Sequence, residues 1–294
     1  MEKNILGRKH AMVALVMATD SNPNGDRDNN GAPRVDERTG QGEMTDVCIK
    51  RHLKDTMAVL DPTLEQYIKN NRPLNEKLAE AAEANGMTLS GLESAIKGDR
   101  SVFLPVREYL LNKYFDLRAF GGLLAKLTQP IKGPVQFAIA KSVLPVEVKT
   151  LGLTSQGIPT AEKFHEEGIK TVMGEKSVVR HGLYVVRGEI SAVQAAETGF
   201  TEEDKDLLLQ AMAHMFDFDK SAARPDMRVC ALYDFEYPDR LGLACHTDKL
   251  WEAVKVAPVP EVLDGTRPAT KYSDYFVGLD EASIPEGVVV HKLV

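Results

Sequence analysis

The stretch "HAMVALVMATDSNPNGD", residues 10–26, constrains the fold more than any other. Its first nine residues are almost wholly apolar and include β-branched side chains, so it reads as a buried strand at about 9–19. The strand then runs into a stiff Asn-Pro-Asn-Gly turn, where Pro23 restricts the backbone and Gly25 allows conformations other residues resist. Asp20, Asn22, Asn24 and Gly25 match the start of a calcium-binding EF-hand loop, but the closing glutamate position holds Gly31. A strand also stands where an EF-hand needs its entering helix, so calcium is disfavoured.

The loop continues through "APRVDERTGQGEM" to about residue 44. Thr45 then reads as the N-cap of a helix, with Asp46 in its first turn and Val47, Ile49, Leu53, Met57 and Leu60 on an apolar face. Lys50 and Lys54 stand one turn apart on it, with Arg51 beside them. Residues 61–100 are polar and alanine-rich and read as a helical insertion. "GPVQFAIAKSVLPVEV" is a second strand, "GLYVVRGEISA" a third and "MRVCALYDF" a fourth. Before the fourth lies a marked helix, "TEEDKDLLLQAMAHMF", capped by Thr201, with acids in its first turn and Leu207, Leu208, Ala211, Met212 and Met215 on its apolar side. Residues 150–180 form no core element and read as a projecting loop or hairpin. The C-terminal part adds strands or packs on the sheet. Strand, helix, strand, strand, helix, strand is the α+β, ferredoxin-like (RRM-like) βαββαβ order.

Composition narrows the function by exclusion. The 294 residues are 43% hydrophobic with a net charge of −7, an ordinary soluble composition. The N-terminus lacks the apolar run of a signal peptide, and no stretch approaches a membrane span, so a cytoplasmic protein is expected. Cys48, Cys230 and Cys245 are far apart and form no zinc or disulfide pattern. The histidines, among them His10, His52, His181 and His246, make no metal-ligand set. Neither a nucleophile elbow nor a phosphate-binding loop appears, and "AFGG" at 119–122 is too short for a dinucleotide fingerprint. No cofactor and no metal is expected. Asp20, Asp26 and Asp28 read as turn-forming acids before they read as a metal-dependent cleavage site.

The charge is unevenly spread. Residues 101–150 carry seven basic and three acidic side chains, a net of +4, whereas 191–294 carry ten basic and nineteen acidic, a net of −9. A basic surface can attract phosphate even when the total is negative. RNA-binding sheets of this type usually stack bases on aromatics, but the first strand has none. A nucleic-acid reading therefore favours the backbone, through amides, Asn side chains and cations.

Several blocks in order carry a family resemblance: "SNPNGDRDNNGAPRVDERTGQGEMTDVCIKRHLKD", "FGG", "GPVQFAIAKSV", "MGEKSVVRHGLYVVRGEISA", "TGFTEEDKDLLLQAM" and "DKSAARPDMRVCALYDFEYP". Together they resemble the repeated backbone subunit of type I CRISPR interference complexes (Cascade), of the I-C subtype. Arg27 and Pro225 depart from that family's usual proline and glycine. The resemblance implies one hand-like domain: a palm (8–60, 101–150 and 181–240, with additions at 241–294), a fingers insertion at 61–100 and a thumb at 150–180. It implies a non-catalytic scaffold whose copies line up head to tail along CRISPR RNA. Guide bases are left to pair with a target DNA strand, beside large, small and repeat-handle-binding partner subunits and away from membranes. Lys50, Arg51 and Lys54 are then the expected phosphate contacts, with Asn22 and Asn24 in the loop. Arg34, Gln136, Lys141 and Arg180 are further candidates, and Val172 and Met173 would be the thumb's wedge. The acidic C-terminal half is expected to face away from the RNA. The alternative is an RNA-cleaving, type III-like subunit using Asp26 or Asp28.

Overall fold

The apolar run forms β1 (His10–Ser21), with every residue from Ala11 to Ala18 buried. In the computed structural model, which describes residues 3–69, 71–124, 126–155 and 172–294, β1 is paired antiparallel on both sides. That position explains why the run is apolar on both faces. Met12, Ala14, Val16 and Ala18 join one hydrophobic cluster, and Ala11, Val13, Leu15 and Met17 join another across the sheet.

The segment read as a single loop is more ordered than its sequence suggests. β2 (Gly25–Asp26) and β3 (Ala32–Pro33) form a small ribbon, and β4 (Gln41–Met44) joins the main sheet through a later strand. Such short strands have no hydrophobic period to reveal them, and β4 finds its partner about a hundred residues away. α1 (Asp46–Leu60) follows, with Thr45 Oγ1 accepting from Cys48 N at 3.3 Å. Ile49, Leu53 and Met57 are buried as expected, but Val47 is 70% exposed and lies outside the core face.

A helical layer comes next: α2 (Leu74–Glu83), α3 (Leu89–Gly98), α4 (Phe103–Lys113) and α5 (Phe115–Phe120), closed by the hairpin of β5 (Gly121–Leu124) and β6 (Gln129–Lys132). It has its own hydrophobic cluster, running from Tyr67 to Ile131. Buried Asp116 ties the layer's entry to α5, accepting from the backbone N–H of Tyr67 (2.7 Å), Ile68 (2.9 Å) and Leu117 (3.1 Å).

The second expected strand is broken into β7 (Val135–Phe137), β8 (Ala140–Pro145) and β9 (Val148–Ser155), all pairing with β10 (Val172–Ile190). β10 starts ten residues before the expected third strand, because its first part pairs with β9 as a hairpin arm. Then come α6 (Ala192–Thr198), α7 (Glu202–Ala213), with Thr201 and Asp204 forming a capping box, and β11 (Asp226–Glu236). α8 (Thr247–Ala253), β12 (Val254–Pro258), α9 (Pro260–Leu263), β13 (Tyr275–Leu279) and β14 (Val289–Lys292) complete the chain.

The result is a mixed α+β fold on an antiparallel sheet of order β14-β11-β1-β10-β8-β4, with β7 and β9 also on β10. α1 and α7 pack on one face and the C-terminal segment covers the other. Among the described residues, no helix is long and apolar enough to cross a membrane.

Candidate functional site

The turn after β1 is fixed by its two asparagines. Asn22 Nδ2 donates to Gly31 O (2.7 Å) and Ser177 O (3.3 Å), buckling the loop onto β10. Asn24 Oδ1 accepts from Thr45 N (2.9 Å) and Thr45 Oγ1 (3.0 Å), tying the turn to the N-cap of α1. Gly25 lets the strands close, since a Cβ there would lie 3.0 Å from Gly31 O. The Asn22 Nδ2 and Asn24 Oδ1 atoms therefore hold the protein to itself. Asp26 Oδ1 accepts from Asp28 N at 3.2 Å and pairs with Arg34 at 2.9 Å, so the carboxylate a cleavage reading would use already fixes the turn.

The tied turn and the outer side of α1 form one wall of a groove of about 690 Å³. Gly121 and Gly122 line the other side, with Ile68, Phe120 and Arg224. Gly121 has φ +72°, and a Cβ on it would meet Ile131 O at 2.2 Å, so only glycine lets the β5–β6 hairpin close there. Exposed Val47 and Ile68 add apolar surface to the groove.

The groove's cations are held to different degrees. Lys50 Nζ lies 3.3 Å from Asp46 Oδ2 and donates to Gln136 Oε1 at 2.9 Å. Arg51 is half exposed between Asp55 (3.7 Å) and Asp219 (3.6 Å). Lys54 Nζ donates, among the described residues, only to a carbonyl, Ile68 O, at 3.2 Å. Arg224 Nε donates to Asp219 Oδ2 at 3.0 Å. Beneath them His52 is buried, its Nδ1 2.9 Å from Asp219 Oδ2. Burial, and then the neighbouring Arg51, push it down to about 4, so the ring is neutral near pH 7 and adds no charge to the groove. Arg51, half exposed with ion pairs of 3.6 and 3.7 Å, can exchange its partners for phosphate at small cost. Lys50 and Arg224 are more covered and would first give up closer contacts. With Asn24 committed to Thr45, the groove suits backbone contacts better than base reading.

Asn24, Lys50, Arg51 and Lys54 thus share one groove, and Gln136 steadies Lys50 from β7. Asn22 lies behind it as a strut, and Arg34 is paired with Asp26 outside the lining. Lys141 is closed by Asp36 (2.7 Å) and Glu43 (3.2 Å), and its hydrogen bond holds the Asp36 carboxyl down at about 2. Arg180 pairs with Glu147 at 2.7 Å and lines a different cavity. Val172 and Met173 pair in register with Ser155 and Thr154, but their side chains, like residues 156–171 of the expected thumb, lie outside the described residues.

The basic bias of 101–150 is partly cancelled by ion pairs, while Arg107, Lys132 and Lys149 meet no carboxylate among the described residues. Lys113 is paired with Glu80, Arg118 with Asp204 and Lys126 with Glu93. The acidic C-terminal half contributes Arg224 to the groove's lining, with Asp219 paired to Arg51 and Arg224. Sequence reasoning missed Arg224, Gly121 and Gly122 as lining residues. They stand within quoted blocks, yet nothing local places them beside α1.

A family model described as "CRISPR-associated protein Cas7" matches residues 8–280. A curated relative of that name from Haloferax volcanii is 28% identical over 211 residues, covering 65% of this chain. The match spans 59% of that relative's length. A chain of a solved structure titled "CRISPR RNA-guided surveillance complex, pre-nicking" aligns with TM-score 0.50 and 14% identity, covering 77% of this chain and 78% of its own. At that identity the likeness is one of fold.

Proposed function

From the premise that this chain belongs to the CRISPR-associated Cas7 family, we propose that it is a non-catalytic scaffold subunit that binds CRISPR RNA along the sugar-phosphate backbone. Several copies polymerise head to tail on one guide, a heterologous contact that propagates without closing. The guide bases remain free to pair with target DNA, so pairing reads sequence while protein holds the backbone. In this reading the complex is of type I-C and works in the cytoplasm beside other Cascade subunits. The sheet with α1 and α7 is a ferredoxin-like palm, the helical layer the fingers and the β9–β10 hairpin the thumb's root.

The observation that carries the reading is the groove at the end of β1. Lys50, Arg51, Lys54 and Arg224 converge there on a surface with glycine backbone, where the aromatic ring of Phe120 is largely buried. The test is assembly. Purified from cells holding a CRISPR array, the chain should carry small RNA of defined length, seen as excess absorbance at 260 nm and sized after extraction. Lys50→Glu with Arg51→Glu should yield a folded chain free of RNA and of higher assemblies. Normal assembly by that double variant would refute the groove.

A further inference from the structure

The second cavity, about 790 Å³, shares no lining residue with the groove. It opens between the root of the β9–β10 hairpin and the C-terminal segment, with Leu144, Glu147, Arg180 and His181 from one and Arg267 and Tyr275 from the other. Alternation along β1 places it on the other side of the sheet. Thr19, which lines it, continues the odd-numbered face that packs on the C-terminal segment.

Two guanidinium groups reach this cavity, and they are held in different ways. Arg267 Nη1 lies 2.9 Å from Asp274 Oδ1. Asp274 is fully buried, and its Oδ2 accepts from Thr270 N (2.8 Å), Lys271 N (3.1 Å) and Thr270 Oγ1 (3.3 Å). Burial pushes this carboxyl up, but the backbone amides and Arg267 outweigh it and hold it at about 2, so it is an anion at neutral pH. A buried carboxylate is costly unless paired, and this one pins Arg267 at the cavity's edge. Arg180 Nε instead pairs with Glu147 Oε1 at 2.7 Å, and that carboxylate, 69% exposed, is free to swing into water. Both arginines stay about half exposed, with guanidinium N–H groups that have no partner among the described residues.

The remaining surface suits part of a nucleotide. His181 stacks on Tyr275 with centroids 5.9 Å apart, and Pro145 and Pro268 add flat apolar surface. Asp20, held at φ +44°, also lines the cavity and adds a second carboxylate beside Glu147.

We propose that this cavity binds a phosphodiester of a single nucleic-acid strand, with Arg180 and Arg267 donating to its non-bridging oxygens and Glu147 displaced from Arg180. The site rests on the guide-binding reading for the class of polymer, not for its location. The strand is the guide itself or the strand paired with it, and two binding arms separate these sources. One titrates labelled single-stranded RNA with the full chain, and the other titrates labelled complementary DNA with the RNA-loaded assembly.

Arg180→Gln should lower the salt slope by about 0.7 and the affinity about fivefold at about 0.1 M salt in one arm, the value of one single-strand phosphate contact. Arg267→Lys keeps a cation beside Asp274, which protects the fold, but loses the planar fork, so affinity falls severalfold with the slope unchanged. Unaltered binding by both variants in both arms overturns the site. So does altered self-association without nucleic acid when both arms are unaffected, which would make the cavity a protein interface. Tighter binding of a nucleoside monophosphate than of either strand, by competition, would also overturn it. Weakening by the cavity variants when substitutions at Lys50, Arg51 and Lys54 have no effect would sink the groove and leave this site standing.

Discussion

Replacing Lys50, Arg51 and Lys54 together by glutamine removes three groove cations without adding bulk. If each meets one phosphate, the slope of log affinity against log salt falls by about 2, since a single-strand contact contributes about 0.7. At about 0.1 M salt the same relation makes each contact worth about fivefold, so the triple variant binds guide RNA about 100-fold more weakly. The structure makes this a lower bound. Asp46 and Asp55, now paired with Lys50 and Arg51, would be left as uncompensated anions near the strand. Folding should hardly change, because these pairs lie at 3.3 and 3.7 Å on partly exposed side chains, where an ion pair contributes at most about 1 kcal/mol. Fluorescence anisotropy with labelled single-stranded RNA over a salt series measures affinity and slope, and a thermal melt measures stability. An unchanged slope would refute the reasoning, even with weaker binding, because it would mean that these side chains meet no phosphate.

Other consequences are open to test. Gly121→Ala sets a Cβ against Ile131 O at a φ of +72° and should destabilise the chain by about 3 kcal/mol in denaturant titration. Asp116→Asn turns an acceptor of backbone N–H groups partly into a donor and should cost about 2–3 kcal/mol by the same measurement, a value near zero refuting the tie it makes between α5 and the helical layer. His52 is held neutral down to about 4 in the folded chain, whereas an unfolded histidine protonates near 6.5. Between those values the unfolded state binds more protons, so stability should fall as pH drops from about 6.5 to about 4. His52→Gln should flatten that part of a stability-against-pH curve, and an unchanged curve would show that the ring is not the source.

Local signals carried much of the architecture. β1 was legible because its apolar, partly β-branched run is short and stops at an Asn-Pro-Asn-Gly turn, which favours a buried strand over a buried helix. α1 and α7 were legible from their caps and helical periodicity. The cluster Lys50, Arg51 and Lys54 was legible for the same reason, since helical spacing sets those side chains side by side. The broken second strand was not, because "GPVQFAIAKSVLPVEV" reads as continuous until β10 divides the pairing among β7, β8 and β9.

The sequence alone determined that an aromatic-free strand leads into an Asn-Gly turn and a basic helix, because each depends on neighbours a few residues away. Only the tertiary structure decided which charges are available. Folding brought Asp36 and Glu43 to Lys141 and left Lys54 with a carbonyl. It also carried Arg224 and Gly121–Gly122 to the side of α1 and gave Arg180 a separate cavity. Ion pairing falls off within a few ångströms, so sequence distance says nothing about it until the chain has closed.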